Sequence, residues 1–252
     1  MKLNLPPTEI IENEKTKIDH LEMSDAILKM LQNQQKAFSA IKKVINEIGK
    51  VVEITYDHLC KSKNGRLVYV GAGTSGRIAV QDGAELFPTF SWPKARLDYI
   101  IAGGDKALTN SIENAEDDLI SADREILKKN INSQDVIIGL AASGNTPFTC
   151  RVIEGSSKKQ ALTVSISNNP DGKILDVSKV GIILDTKQEV IAGSTRLKAA
   201  TAQKICLNII SSMLMTKMGF VKDGEMINLI SNNKKLKERK KRILNKMIHK
   251  GS

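Results

Sequence analysis

The chain lacks the features typical of membrane, secreted and metal-binding proteins. None of its apolar runs approaches the ~18 residues of a transmembrane helix, and its first residues have no apolar stretch of the signal-peptide kind. Its three cysteines are widely spaced and form no metal-binding pattern, which favours a reducing compartment. We therefore expect a cytoplasmic protein with no membrane contact and no bound metal.

Two common catalytic patterns are also missing. The G-x-x-x-x-G-K-[ST] pattern of nucleotide-binding P-loops does not occur. The three histidines, His20, His58 and His249, lie outside every loop that could form a site, which disfavours a Ser/His/Asp triad. The chemistry is therefore expected to depend on other residue types.

Positive charge is abundant, with a formal net charge of +10, but it is concentrated at one end. Residues 231–252 hold nine Lys or Arg and one Glu, so the rest of the chain is nearly neutral. Leu236, Ile243, Leu244, Met247 and Ile248 fall on one helical stripe of this tail. We interpret the tail as an amphipathic helix packed on the body or on a second subunit. Contact with RNA or an anionic membrane is the weaker alternative, because the tail has no aromatic residue for stacking.

The apolar pattern predicts an α/β fold. Residues 8–62 show the three- and four-residue spacing of helices. Short apolar runs then alternate with helical patterns: strands at 66–72, 97–103, 135–142, 161–167 and 181–185, and helices at 75–86, within 105–130, at 147–156 and at about 196–218. This alternation is typical of a parallel sheet covered on both faces.

Three loops rich in Gly, Ser and Thr stand where predicted strands end or helices begin. They read Gly71-Ala-Gly-Thr-Ser-Gly-Arg77, Ala142-Ser-Gly-Asn-Thr-Pro147 and Gly193-Ser-Thr-Arg196. Backbone N–H groups at a helix N-terminus favour negative charge, and the hydroxyls add donors. We interpret the loops as a cradle for a phosphate monoester; the alternative is tight turns with incidental hydroxyls. The first loop also matches G-x-G-x-x-G, but Asp98 precedes the next strand rather than ending it, which disfavours a dinucleotide site.

Two glutamates lie near these loops. Glu85 is predicted near the end of the helix that the first loop opens, three residues after Asp82 and before Pro88 stops that helix. Glu116 is predicted in a helix that begins after Asp105, beside the apolar stripe Leu108, Ile112 and Ala115, so we expect it to be partly buried. Without further information, both would be interpreted as ordinary surface residues.

The strings that carry the loops and glutamates closely resemble the bacterial N-acetylmuramic acid 6-phosphate etherases, members of the sugar isomerase (SIS) superfamily. The resemblance runs in order from about residue 15 to 245. It is carried by Val70-Gly-Ala-Gly-Thr-Ser-Gly-Arg-Ile78, Asp82-Gly-Ala-Glu-Leu-Phe-Pro-Thr89, Ile101-Ala-Gly-Gly-Asp105, Glu113-Asn-Ala-Glu-Asp117, Ala141-Ala-Ser-Gly-Asn-Thr-Pro147 and Gly193-Ser-Thr-Arg-Leu-Lys-Ala-Ala-Thr-Ala-Gln-Lys204.

The resemblance implies an SIS-type (flavodoxin-like) three-layer α/β sandwich with N-terminal helices and a C-terminal amphipathic helix. The expected division is an N-terminal helical segment at 1–58, a phosphosugar-binding domain at 59–222 and a basic helical tail at 223–252. It also implies a homodimer with sites near the subunit interface, no nucleic-acid partner, and no cofactor or metal.

The implied reaction cleaves the D-lactyl ether of N-acetylmuramic acid 6-phosphate to N-acetylglucosamine 6-phosphate and D-lactate during peptidoglycan recycling. Glu85 matches the family's proton donor to the leaving lactate. Glu116 matches its second catalytic glutamate, which we assign as the base at C2, and Asp82 and Asp117 are expected to help keep one carboxyl protonated. The residues expected to bind the phosphorylated amino sugar are Gly73, Thr74, Ser75, Gly76, Ser143, Gly144, Thr146, Ser194, Arg196 and Lys198, and either Arg196 or Lys198 would pair with the lactyl carboxylate.

The chain departs from the etherase pattern at several places. It reads Glu85-Leu-Phe-Pro-Thr89 where the family usually has Glu-Cys-Pro-Pro-Thr, Asn114 replaces a usual Gly, and Asn145 replaces a common Arg. It also stops before the C-terminal helical segment of typical members. Two alternatives therefore remain, a non-catalytic phosphosugar sensor like the glucokinase regulatory proteins and an aldose–ketose phosphosugar isomerase. Release of lactate would distinguish the etherase from both, and formation of a ketose would identify the isomerase.

Overall fold

A computed structural model describes residues 6–11, 17–230 and Glu238. The N-terminal part forms two long amphipathic helices, α1 (Met23–Lys42) and α2 (Ile45–Cys60). Their buried faces, which include Ala37, Ile41, Val51 and Leu59, pack in the same core as the later helix over 198–217. The helical pattern predicted for residues 8–62 is confirmed for α1 and α2, whereas the described residues before Met23 form only the short 3-10 turns Pro7–Glu9 and Ile18–His20.

Five parallel strands form one sheet: β1 (Leu67–Gly71), β2 (Leu97–Ile101), β3 (Val136–Ala141), β4 (Leu162–Ser167) and β5 (Val180–Ile183). Every residue of β1, β3 and β4 is buried, as expected for Val- and Ile-rich strands covered on both faces. The strand order is β2-β1-β3-β4-β5, the flavodoxin-like order that was predicted.

Between residues 61 and 230, six further α-helices complete the sandwich: α3 (Gly73–Ala84), α4 (Leu86–Phe90), α5 (Leu119–Lys128), α6 (Pro147–Lys158), α7 (Lys173–Val177) and α8 (Lys198–Lys217). Alternate strand residues face opposite layers. Tyr69 belongs to the core shared with α2 and α8, whereas Val68 and Val70 belong to the core shared with α5 and α6. The three-layer architecture is therefore confirmed.

The segment between β2 and α5 differs from the prediction. Instead of a helix that carries Glu116, it forms two short 3-10 turns, Gly104–Leu108 and Ala115–Asp117, joined by irregular backbone. Gly103 and Asn114 adopt left-handed conformations, with φ of 80° and 57°. The left-handed residue Asn114 lies between Ile112 and Ala115 and interrupts a right-handed helix there, so the helical spacing of Leu108, Ile112 and Ala115 does not produce one.

The sheet edge at which the strands begin is closed by an ion network. Arg66 makes a bidentate pair with Asp135, with Nε 3.0 Å from Oδ1 and Nη2 2.7 Å from Oδ2. Asp98 at the start of β2 accepts from Lys129 Nζ at 2.6 Å. Arg66 Nη1 also lies 3.6 Å from Asp98 Oδ2, so this network joins the starts of β1, β2 and β3. The opposite edge, where the strands end, is where ligands bind in such sheets.

After α8, two short antiparallel strands form a hairpin, β6 (Val221–Lys222) and β7 (Glu225–Met226). The expected domain limits at 58 and 222 fall inside α2 and between β6 and β7, respectively. The predicted amphipathic tail stripe lies outside the described residues. Within the part of the chain that is described, no helix combines the length and apolar character needed to cross a bilayer.

Candidate active site

Two helix N-termini lie side by side at the carboxyl edge of the sheet. The paired strands β1 and β3 lead directly into α3 and α6. No described side chain caps either terminus, so the first-turn N–H groups of both helices remain available. The two predicted phosphate loops therefore lie at the same edge of the sheet, at the ends of neighbouring strands.

The first loop depends on close backbone packing. A Cβ on Gly76 would stand 3.0 Å from the carbonyl oxygen of Gly71, so only glycine lets α3 begin this near to the strand. Gly73, the first residue of α3, has a φ of +51°. Thr74 follows it and is half-buried, which leaves its hydroxyl near the open edge.

Ser75 plays a different part from the one predicted. Its hydroxyl is buried and donates to Oε1 of Gln203 on α8 at 2.8 Å. Gln203 Nε2 in turn donates to Oδ1 of Asn168 at 2.9 Å, and Asn168 lies just beyond β4. This buried chain of hydrogen bonds fixes the first loop against α8. This role of Gln203 was not predicted from the sequence, because only the packing of α3 on α8 brings the two side chains together.

The second loop is held by its neighbour across the sheet edge. Gly144 has a φ of +73°, and a Cβ there would overlap Gly172 and approach Ser167 Oγ to 2.5 Å. Asn145 Oδ1 accepts from the backbone N–H of Lys173 at 2.9 Å, at the start of α7. The Asn that replaces the family's usual Arg therefore supports the loop. Two half-buried hydroxyls, those of Ser143 and Thr146, lie on the loop itself.

The third loop was predicted to be part of the anion cradle, but the helix N-terminus beside it differs from those of α3 and α6. The carboxylate of Glu189 already occupies the N-terminus of α8, accepting from Lys198 N at 3.2 Å and Ala199 N at 2.7 Å. Glu189 is only 1 % exposed, and burial raises its pKa, while the bond from Ala199 and the charge of Lys198 lower it. The third loop therefore has a protein carboxylate where an incoming phosphate would bind.

Lys198 is also placed differently from the prediction. It is 1 % exposed, and its Nζ donates to the carbonyl oxygen of Gln188. Arg196 is exposed, two residues earlier, and Ser194 is half-buried. Of the two cations considered for the lactyl carboxylate, Arg196 is thus the accessible one.

Glu116 lies directly over the first loop. Its Oε1 is 3.0 Å from the position that a Cβ on Gly73 would take. The side chain is exposed, so the predicted partial burial is wrong, yet the carboxylate reaches the first turn of α3. Arg77 on α3 holds this segment, donating to Ala107 O at 3.0 Å and to Asn110 O at 2.9 Å. This role of Arg77 was not predicted from the sequence.

Glu85 lies at the far end of the same helix. It follows Ala84, the last residue of α3, and is exposed. Pro88 does not end α3; it lies early in α4, where its missing N–H is not needed. Asp82, one turn earlier, is buried and accepts from Tyr69 at 3.0 Å, Asn208 at 2.6 Å and Ser211 at 3.0 Å. Its carboxylate therefore joins α3 to β1 and α8. Asp117, the other predicted helper, is exposed.

The N-terminal segment Pro6–Ile11 closes one side of the edge. The carbonyl oxygen of Thr8 accepts from Gly193 N at 3.0 Å, and Thr8 Oγ1 accepts from Asn169 Nδ2 at 3.3 Å. Asn169 Oδ1 is buried without a hydrogen-bond partner among the described residues. Such an acceptor can serve a ligand hydroxyl or a water molecule.

Comparison with known proteins supports the fold. A family model, glucokinase regulatory protein N-terminal SIS domain, matches residues 43–156. A phosphoheptose isomerase from Francisella tularensis is 16 % identical, with a TM-score of 0.56 over 78 % of this chain and 97 % of its own. A solved protein of E. coli CFT073 is also 16 % identical, with a TM-score of 0.57 over 81 % of this chain and 97 % of its own. At that identity the two structures establish the fold alone.

Sequence relatives are much more similar. The N-acetylmuramic acid 6-phosphate etherase of Deinococcus radiodurans is 39 % identical over 94 % of this chain and 77 % of its own length. That of Pasteurella multocida is 39 % identical over 91 % of this chain and 75 % of its own. With this identity over nearly the whole chain, and with the loops and glutamates placed as described, the chain belongs to the N-acetylmuramic acid 6-phosphate etherase family.

Proposed function

We propose that this chain cleaves the D-lactyl ether of N-acetylmuramic acid 6-phosphate, giving N-acetylglucosamine 6-phosphate and D-lactate. The observation that carries the proposal is the carboxylate of Glu116 at the uncapped N-terminus of α3, where a bound sugar phosphate would meet it. The curated etherases that match nearly the whole chain support the same reaction. A cytoplasmic role in peptidoglycan recycling is part of this proposal.

The phosphate would be held by the two adjacent helix N-termini. The free N–H groups of the first turns of α3 and α6 point to this edge, and Thr74, Ser143 and Thr146 add hydroxyl donors. The exposed Arg196 would pair with the lactyl carboxylate. Held at both ends in this way, the sugar would present C2 and C3 to Glu116.

The chemistry follows from the open-chain sugar, in which the C2 proton is acidic because it lies next to the aldehyde. Glu116 would remove this proton, and the electron pair would form the C2–C3 double bond as the C3–O bond to lactate breaks. Glu85, in its acid form, would protonate the departing oxygen. Water would then add to C3 of the unsaturated aldehyde, and the proton would return to C2.

The test compares D-lactate release by the wild type, Glu116→Gln, Glu85→Gln and a matched control, Glu113→Gln. Glu113 is an exposed glutamate three residues before Glu116. We expect each of the first two variants to lose about a hundredfold or more in kcat, and the control to keep wild-type activity. In deuterated water, Glu85→Gln should still exchange the C2 proton of the substrate, whereas Glu116→Gln should not. Full activity of either catalytic variant would overturn its assigned role.

A second candidate is a non-catalytic phosphosugar sensor. It is favoured by the match of residues 43–156 to the glucokinase regulatory protein family model. A sensor would raise its melting temperature with N-acetylmuramic acid 6-phosphate yet release no D-lactate. Formation of a ketose phosphate would instead identify an isomerase.

A further inference from the structure

The two loops expected to hold the sugar phosphate contribute mainly neutral donors, although a phosphate monoester carries a charge of about −2 near pH 7. The second loop, residues 142–147, contains no Lys or Arg. In the first loop, Arg77 directs Nε and Nη2 to the carbonyl oxygens of Ala107 and Asn110. Lys and Arg are the side chains that give a bound phosphate its strongest hydrogen bonds. We therefore expect a cation from another part of the chain beside these loops.

The start of α7 is fastened to the second loop through its backbone. A Cβ on Gly144 would stand 2.4 Å from Cα of Gly172, so the two glycine backbones pack closely. The backbone N–H of Lys173 donates to Asn145 Oδ1 at 2.9 Å. The backbone N–H of Ile174 donates to the carbonyl oxygen of Gly144, also at 2.9 Å. These contacts hold the backbone of Lys173 against the second loop, although the two segments follow different strands.

The charge of Lys173 acts at the first turn of α6. Cys150 lies in that turn, and its Sγ donates to the carbonyl oxygen of Gly144 at 3.6 Å. Burial raises the pKa of the Cys150 thiol, whereas the positive charge of Lys173 lowers it. The ammonium group therefore lies near the helix N-terminus that is proposed to hold the phosphate.

Lys173 is also available to a ligand. It is exposed, and its ammonium group forms no ion pair or hydrogen bond within the part of the chain that the structure describes. Other cations near the sheet edge have different surroundings. Lys198 is buried and donates to the carbonyl oxygen of Gln188, and Arg196 belongs to the third loop, away from the two phosphate loops. Lys173 is thus the cation that is attached to the second loop.

We propose that Lys173 binds the phosphate of the substrate and supplies the positive charge that the second loop lacks. Its Nζ donates to one phosphate oxygen, while the first-turn N–H groups of α6 donate to others. The ion pair favours phosphorylated amino sugars over unphosphorylated ones. The inference rests on the proposed function, because that function places a sugar 6-phosphate at this loop.

Isothermal titration calorimetry with N-acetylglucosamine 6-phosphate tests the contact in Lys173→Gln, Lys173→Arg and a matched control, Lys179→Gln. Lys179 is an exposed lysine whose backbone donates to Thr163, near the opposite edge of the sheet. We expect Lys173→Gln to weaken binding about tenfold, Lys173→Arg to keep most of the affinity, and the control to match the wild type. Wild-type affinity in Lys173→Gln would overturn the inference, and so would equal losses in Lys173→Gln and Lys173→Arg.

Salt dependence separates an ionic contact from a structural effect. Raising the ionic strength from about 0.01 M to 1 M shortens the Debye length from about 30 Å to 3 Å. The difference in affinity between the wild type and Lys173→Gln should therefore shrink across this range. A difference that does not change with salt would contradict the ion pair.

Steady-state kinetics distinguish the failure of this inference from the failure of the proposed function. Since the phosphate stays bound throughout the reaction, Lys173→Gln should raise KM about tenfold and leave kcat nearly unchanged. An unchanged KM for D-lactate release in Lys173→Gln would overturn the inference alone. A wild type whose binding of the sugar phosphate depends on Lys173, but which releases no D-lactate, would overturn the proposed function alone.

Discussion

The carboxylate of Glu116 stands 3.0 Å from the position of a Cβ on Gly73, although the two residues lie on different elements. Gly73 begins α3 with a φ of +51°, and Glu116 lies in the 3-10 turn Ala115–Asp117. The absence of a side chain at Gly73 is therefore what lets a carboxylate reach the N-terminus of α3. This contact places a carboxylate where the proposed reaction needs a base beside the bound phosphate.

Gly73→Ala should displace this carboxylate. A methyl group would push Glu116 away and would strain a residue with positive φ, so we expect kcat for D-lactate release to fall about a hundredfold. Steady-state kinetics would measure the change. The control is Gly224→Ala in the β6–β7 hairpin, which has a φ of +74° and open space around its Cβ. Wild-type kcat in Gly73→Ala would show that the contact is unimportant.

The first two loops, and not the third, should carry phosphate affinity. Thr74→Val and Thr146→Val each remove a hydroxyl donor from the shared edge, so we expect binding of N-acetylglucosamine 6-phosphate to weaken about tenfold or more. Ser194→Ala should change this affinity little, because Glu189 already occupies the adjacent helix N-terminus. Isothermal titration calorimetry would compare the three variants. Equal losses in all of them would restore the third loop as a phosphate site.

Glu189→Gln should destabilise the fold. The variant leaves the buried charge of Lys198 without its nearby carboxylate, and such changes cost about 3 kcal/mol in the free energy of unfolding. Urea unfolding would measure this loss. Glu154→Gln breaks an exposed ion pair with Lys158 and should cost less than about 1 kcal/mol. A Glu189 variant as stable as the Glu154 variant would contradict the capping role.

Asp82 should make stability fall as the pH rises. Burial raises its pKa in the folded state, against the hydrogen bonds from Asn208, Tyr69 and Ser211. The folded chain therefore binds the Asp82 proton more tightly than the unfolded chain does. The stability that Asp82 contributes is present below about pH 4 and is lost as the pH rises through the raised pKa. Asp82→Asn removes this titration, so its Tm should improve relative to the wild type across that range.

Asp123→Asn provides the comparison of opposite sign. Arg151 lowers the pKa of Asp123, so this group contributes stability at higher pH and loses it as the pH falls. The Tm of Asp123→Asn should therefore fall relative to that of the wild type as the pH rises. If the Tm difference from the wild type changed with pH in the same direction for both variants, the environment of Asp82 would not be the cause of the pH dependence.

Much of the fold was predictable because its signals are local. Uninterrupted Val and Ile runs indicated buried parallel strands, and the glycine-rich turns after β1 and β3 indicated helix N-termini at one edge. The helix predicted for Glu116 was wrong because the left-handed conformation of Asn114 interrupts the backbone between Ile112 and Ala115. Nothing in the residue order showed that Glu189 would reach the N-terminus of α8, because that contact depends on the path of the chain between them.

The sequence by itself determined which residues could take part in a reaction, namely the hydroxyl-bearing loops and the two glutamates. It also determined which family they resemble. Only the tertiary structure decided which of them meet. Packing buries Ser75 against Gln203, and it separately buries Lys198 at the start of α8. It also places Glu116 over Gly73. It also places Glu85 a full helix length from Gly73, because the two residues lie at opposite ends of α3. Spacing along a chain fixes neighbours on one element, whereas distances between elements are set by how their faces pack.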